Sequence, residues 1–117
     1  MANDIVLVGW NRAVAGREID ATELFGTVMG FYEAQKKAGN ITQYQNYFLQ
    51  PHGGDLNGFT ILTGDKHKLS QMVNGDEWLG IETRAIVILE GFGVIRGVTG
   101  DNIQKVMGLY MSSVPRR

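Results

Sequence analysis

A chain of 117 residues, 44% of them apolar, has the length of one domain and too much hydrophobic content for disorder, so residues 1–117 are expected to form a single domain. The 11 basic and 12 acidic residues nearly cancel, which argues against a general nucleic-acid binder. The absence of cysteine excludes a disulfide framework, a thiol nucleophile and a zinc–cysteine site.

The N-terminal stretch MANDIVLVGW lacks the basic region and long apolar core of a signal peptide, and no apolar run approaches the length of a membrane span. A soluble, cytoplasmic protein with no membrane partner is expected. Asp4 to Trp10 is a continuous β-prone run, as in a strand covered on both faces. Asn11 to Ile19 reads as a loop. Asp20 and Glu23 then form a capping-box pattern ahead of a helix that carries Leu24, Val28, Phe31 and Gln35 at helical spacing and ends near Gly39.

Ile41–Gln50 and Leu56–Thr63 read as two strands joined by "PHGGD", where the proline and paired glycines suit a hairpin turn. "TGDKHKLSQMVNG" predicts a short helix, and Asp76 can cap a further helical stretch through Trp78, Leu79 and Ile81. "AIVILEGFGVIR", residues 85–96, reads as a fourth strand. Asp101 to Ser113 is the last helix, with an apolar stripe of Ile103, Val106, Met107, Tyr110 and Met111. "GFTILTGD" and "GFGVIRGVTGD" both run from strand through Thr-Gly-Asp to helix, an echo attributed to shared turn-and-cap chemistry.

The order β-α-β-β-α-α-β-α reduces to the βαββαβ ferredoxin-like unit of the α+β class: a four-stranded antiparallel sheet, a split second helix and an extra C-terminal helix. Helices cover one face of such a sheet. In the second strand neither Ile41, Gln43, Gln45, Tyr47 and Leu49 nor Thr42, Tyr44, Asn46 and Phe48 make a charged face. In the fourth, Ala85, Val87 and Leu89 on one side and Ile86, Ile88, Phe92 and Val94 on the other are all apolar. A sheet apolar on both faces needs a second cover, either a partner chain or a large ligand.

"IVLVGWN", "NGFTILTGD", "MVNGDEWLGIETRA" and "VILEGFGVI" together resemble the dimeric α+β barrel superfamily, which includes antibiotic-biosynthesis monooxygenases, heme-degrading monooxygenases, muconolactone isomerases and many small bacterial proteins of undefined role. The likeness is one of pattern over nearly the whole chain. It implies a homodimer in which two sheets pack face to face, with ligands held between each sheet and its own helices.

That resemblance directs attention to particular residues. Asn11, after Trp10 at the end of the first strand, matches an asparagine that orients substrate or oxygen in some relatives; the alternative is a strand-end cap. Trp78 matches a tryptophan that walls the cleft; the alternative is a core aromatic. The heme ligand expected near it is missing, since residues 79–84 read LGIETR, and His67 sits in an exposed-looking "DKHK" turn. No cofactor or metal is therefore expected. Glu90 interrupts an apolar strand and is either a general base facing a cavity or a structural group, in an ion pair with Arg84 or Arg96 or in a dimer-edge contact. Trp10, Tyr44, Tyr47 and Arg96 are further ligand-binding candidates, with core or interface packing as the alternative for the tyrosines.

His52 and Asp55 have no G-x-S-x-G nucleophile or H-E-x-x-H spacing to work with, and a turn explains every residue of "PHGGD". An RNA-recognition motif shares the βαββαβ order, but of its stacking aromatics only Phe59 is present, and no basic residue stands at Leu56-Asn57. Two readings follow. One is a homodimer that binds a small apolar or aromatic molecule. The other is a cofactor-independent monooxygenase or isomerase acting on an aromatic or polyketide-like substrate.

Overall fold

The computed structural model describes residues 4–115. β1 (Asp4–Trp10) leads through a two-residue strand, β2 (Arg12–Ala13), to α1 (Glu18–Lys37). β3 (Gln43–Phe48) and β4 (Gly58–Gly64) form the hairpin. α2 (Lys66–Val73) and α3 (Asp76–Ile88) follow, then the short β5 (Leu89–Glu90), β6 (Gly93–Val98) and α4 (Asp101–Ser113). The main sheet has the order β3-β4-β1-β6 with every pairing antiparallel, and β2 and β5 form a separate ladder. Among the described residues no helix is long and apolar enough to cross a membrane.

Register sorts the strand residues into two faces. Val6 lies between Leu62 and Arg96, and Val8 between Thr60 and Val94. That face meets the helices, and Val6, Val8, Thr60 and Leu62 are buried on it. Leu24, Phe31 and Tyr32 of α1, Leu69 and Met72 of α2, and Trp78, Ile81, Ala85 and Ile88 of α3 complete the core. The opposite face carries Ile5, Leu7, Phe59, Ile61, Ile95 and Tyr47 in facing rows with Gln43, Gln45 and Thr63. Among the described residues it holds no charged side chain, its large apolar residues stand outside the helix-packed core, and Ile95 is 61% exposed.

Several local expectations change. The stretch 85–96 is not one strand. Ala85 to Ile88 completes α3, whose buried residues Trp78, Ile81, Ala85 and Ile88 keep helical spacing through the β-branched run. Packing of that stripe overrides the intrinsic β preference of "AIVI". The apolar faces assigned to Ala85, Val87 and Leu89 and to Ile86 and Ile88 therefore do not belong to the sheet. α1 begins two residues before Asp20 and has Arg17 at its N-cap position, so Asp20 lies in the first turn, 3.4 Å from the Arg17 guanidinium. Asp76 is likewise the first residue of α3, behind Gly75.

The Thr-Gly-Asp echo also divides. Asp65 caps α2 by accepting the backbone N–H groups of His67 and Lys68 at 3.1 and 3.2 Å. Asp101 is instead the first residue of α4. α4 has the predicted bounds, yet none of its residues is buried, and its stripe from Ile103 to Met111 is exposed.

Candidate functional site

Between the helix-covered face of the sheet and helices α1 and α3 lies a cavity of about 320 Å³. β1 contributes Val8 and Trp10, β3 Phe48 and β4 Thr60. α1 contributes Ala21, Thr22, Phe25, Val28, Met29 and Tyr32, and α3 contributes Trp78, Ile81 and Ala85. Small residues create the space: Ala13, Ala21, Thr22, Thr60 and Ala85 stand among large aromatics. The volume is at the small end of the range for ligand pockets, and an apolar lining with a few polar groups is their usual composition.

Aromatic side chains build two parts of the wall. Trp10 meets Phe48 edge-on with centroids 5.9 Å apart, and Phe48 meets Phe25 in the same manner at 5.5 Å. Phe48 is 69% exposed, so this chain of rings lies at the open side. Gly58 makes room for it: a Cβ there would stand 2.6 Å from the Trp10 ring. On the inner side Trp78 stacks on Tyr32 with centroids 6.0 Å apart, and its indole N–H donates to Glu82 at 3.2 Å. Both rings are fully buried.

The polar groups are few. The Thr60 hydroxyl donates to Asn46 Oδ1 at 2.6 Å, and the Asn46 amide reaches Met29 Sδ at 3.2 Å. The Tyr32 hydroxyl is buried and finds no hydrogen-bond partner among the described residues. Burial pushes its pKa above the ordinary value of 10.0, so it remains a protonated donor. A buried donor without an acceptor costs about 1–3 kcal/mol. At the rim, Arg12 Nε lies 3.4 Å from Glu90 Oε1 across the β2–β5 ladder, with both side chains well exposed.

Trp10 and Trp78 are the two residues of the sequence reading that meet in this cavity. Asn11 is outside the lining. Its backbone N–H donates to Glu90 O at 2.9 Å and its side-chain oxygen accepts from Asn57 at 2.5 Å, which ties the end of β1 to the start of β4. Glu90 pairs with Arg12, where Arg84 or Arg96 was expected, because β5 turns away from the main sheet to pair with β2.

Tyr44 is on the helix-covered face, but its hydroxyl donates to Glu33 at 2.7 Å. That bond, then desolvation and the Glu33 charge, raises its pKa. Tyr47 stacks on Phe59 on the uncovered face. Arg96 lines a separate hollow with Asp4, Lys66 and Ser70.

His52 is engaged by its own loop. Its Nδ1 accepts the Gly54 N–H at 3.2 Å and its Nε2 lies 2.7 Å from Leu56 O, an arrangement for the tautomer protonated at Nε2. Gly53 takes the positive φ of 82° that the turn requires. Among the described residues no group of three His, Asp or Glu is placed to hold a metal ion.

The sequence reading missed Arg12 and Tyr32. Tyr32 did have a signal, because Ala21, Phe25, Val28 and Tyr32 form a stripe with spacings of four, three and four along α1.

No protein-family model matches the sequence, and no curated protein does. Among solved structures, the chain is similar to a dimeric protein of unknown function and ferredoxin-like fold from Bacteroides fragilis NCTC 9343, with a TM-score of 0.56 and 9% sequence identity, over 81% of this chain and 95% of that one. The chain has a ferredoxin-like fold. At 9% identity the likeness reaches the architecture and stops there.

Proposed function

We propose that this chain, acting as a single domain, forms a homodimer through the uncovered face of its sheet and binds a small aromatic or apolar molecule in the cavity of each protomer. The observation that carries the ligand reading is the cavity of about 320 Å³, with the unpartnered Tyr32 hydroxyl buried among its aromatic walls. An apolar guest fills the space left by the small residues, and an oxygen on that guest gives the hydroxyl an acceptor. The dimer rests on a face that carries Ile5, Leu7, Phe59, Ile61 and Ile95 without a charge, an uncharged apolar row of the kind that marks an interaction surface. The ferredoxin-like protein similar to this one is dimeric. The exposed stripe of α4 offers further apolar surface to the same partner.

Isothermal titration with 2-naphthol tests the ligand reading. One site per chain is expected, and Ala21→Phe, which fills the cavity, should abolish it while the chain stays folded. Binding of equal strength in the filled variant would overturn the reading. Native mass spectrometry tests the assembly, with a mass near twice 12.9 kDa expected.

The second reading is a cofactor-independent monooxygenase or isomerase, as in the antibiotic-biosynthesis enzymes of the dimeric barrel superfamily. The Glu90 carboxylate beside the cavity rim favours it, as a base within reach of a bound substrate. Glu90→Gln should then stop turnover of a hydroxylated polycyclic aromatic and leave its binding in place.

A further inference from the structure

Among the described residues Arg12 is the one charged residue in the cavity lining. Its position is fixed on both sides by backbone hydrogen bonds, Asn11 N–H to Glu90 O at 2.9 Å and Val14 N–H to Ile88 O at 2.8 Å. Its side chain is only lightly engaged. Nε makes a single 3.4 Å contact with Glu90, and the terminal Nη groups meet no acceptor among the described residues. A guanidinium presents five N–H donors in a planar fork that matches a carboxylate. Here four of them remain available beside an aromatic mouth. An exposed ion pair such as Arg12–Glu90 contributes little, so an incoming anion displaces Glu90 at small cost.

We propose that the ligand is an aromatic carboxylate, its ring system inside the cavity between Trp10, Phe25 and Phe48 and its carboxylate held at the rim by the Arg12 guanidinium. This rests on the reading of the cavity as a ligand site. It adds the sign of the ligand's charge and the end at which it lies.

Titration of the full chain with 2-naphthoate and with 2-naphthol separates the two ideas. Wild type should bind 2-naphthoate about five-fold more tightly, the upper end of what an exposed ion pair supplies. Arg12→Gln should remove that preference by weakening 2-naphthoate more than 2-naphthol, and Glu90→Gln should increase it. Equal affinity for both probes, or a preference that survives Arg12→Gln, would overturn the carboxylate assignment and leave the cavity reading standing. Binding of neither probe would overturn both.

Discussion

The two faces of one four-stranded sheet have similar side chains and opposite fates. Val6, Val8 and Leu62 are closed in by three helices, whereas Ile5, Leu7 and Ile61, their immediate neighbours in sequence, are only half-buried and lie outside that core. Alternation along a strand sends successive residues to opposite sides, so an unbroken apolar run such as "IVLV" asks for two covers. The helices supply one. What distinguishes the faces is therefore the helix cover, and the chain's apolar content is not adjusted to compensate.

Substitutions at adjacent positions break this comparison most sharply. Leu62→Asp places a carboxylate where the wild-type side chain is fully buried, and it should leave the chain unfolded, at a cost of several kcal/mol, by circular dichroism. Ile61→Asp, one residue away on the uncovered face, should leave the fold intact and convert the proposed dimer to a monomer in analytical ultracentrifugation. A soluble dimer in Ile61→Asp would show that the second cover lies elsewhere. Phe92, which the sequence reading places on an apolar strand face, is not the place for this test, because it lines the cavity on the helix side.

A smaller effect sharpens the contrast within the covered face. Gly58→Ala forces the Trp10 ring to move, since the new methyl would stand 2.6 Å from it. A loss of about 1–3 kcal/mol is expected in a denaturant melt. Weaker aromatic binding should accompany it, because the displaced ring belongs to the cavity wall.

The smallest effect concerns Tyr32. Tyr32→Phe removes a buried hydroxyl without a partner and should raise stability by up to about 1 kcal/mol at neutral pH. Its pH dependence carries the clearer sign. The folded chain holds the phenol proton more tightly than the unfolded chain does, so this contribution is complete below the ordinary pKa of 10.0 and is lost as pH rises above it. Wild type should therefore lose stability above that pH faster than Tyr32→Phe, by at most about 1.4 kcal/mol per pH unit. Parallel curves would show that the hydroxyl is satisfied in solution.

Much of the architecture was legible because local signals agreed with one another. Asp65 stands at the head of α2 as a cap, "PHGGD" forms the hairpin turn, and α4 runs over its predicted residues. The misreading of residues 85–88 came from weighing β-branched content above period, although Trp78, Ile81, Ala85 and Ile88 already mark a helix. The cavity was less legible for a different reason. Its walls include parts of β1, α1, β3, β4 and α3, and what makes it a cavity is the small size of Ala21, Thr60 and Ala85, which carry no pattern by themselves. Arg12 lay in a stretch that reads as a loop, because a two-residue strand leaves no period to detect.

The two tryptophans have an optical consequence. Trp78 is sealed in the core with its N–H on a carboxylate, while Trp10 is half-buried at the edge of the same cavity. Trp78 should emit at short wavelength and resist quenching by iodide, and Trp10 should emit further to the red and be quenched. Since the chain has no other tryptophan, replacing either one with phenylalanine leaves a single native fluorophore at a known depth. Entry of a guest can then be followed from the rim and from the interior separately, without attaching a dye.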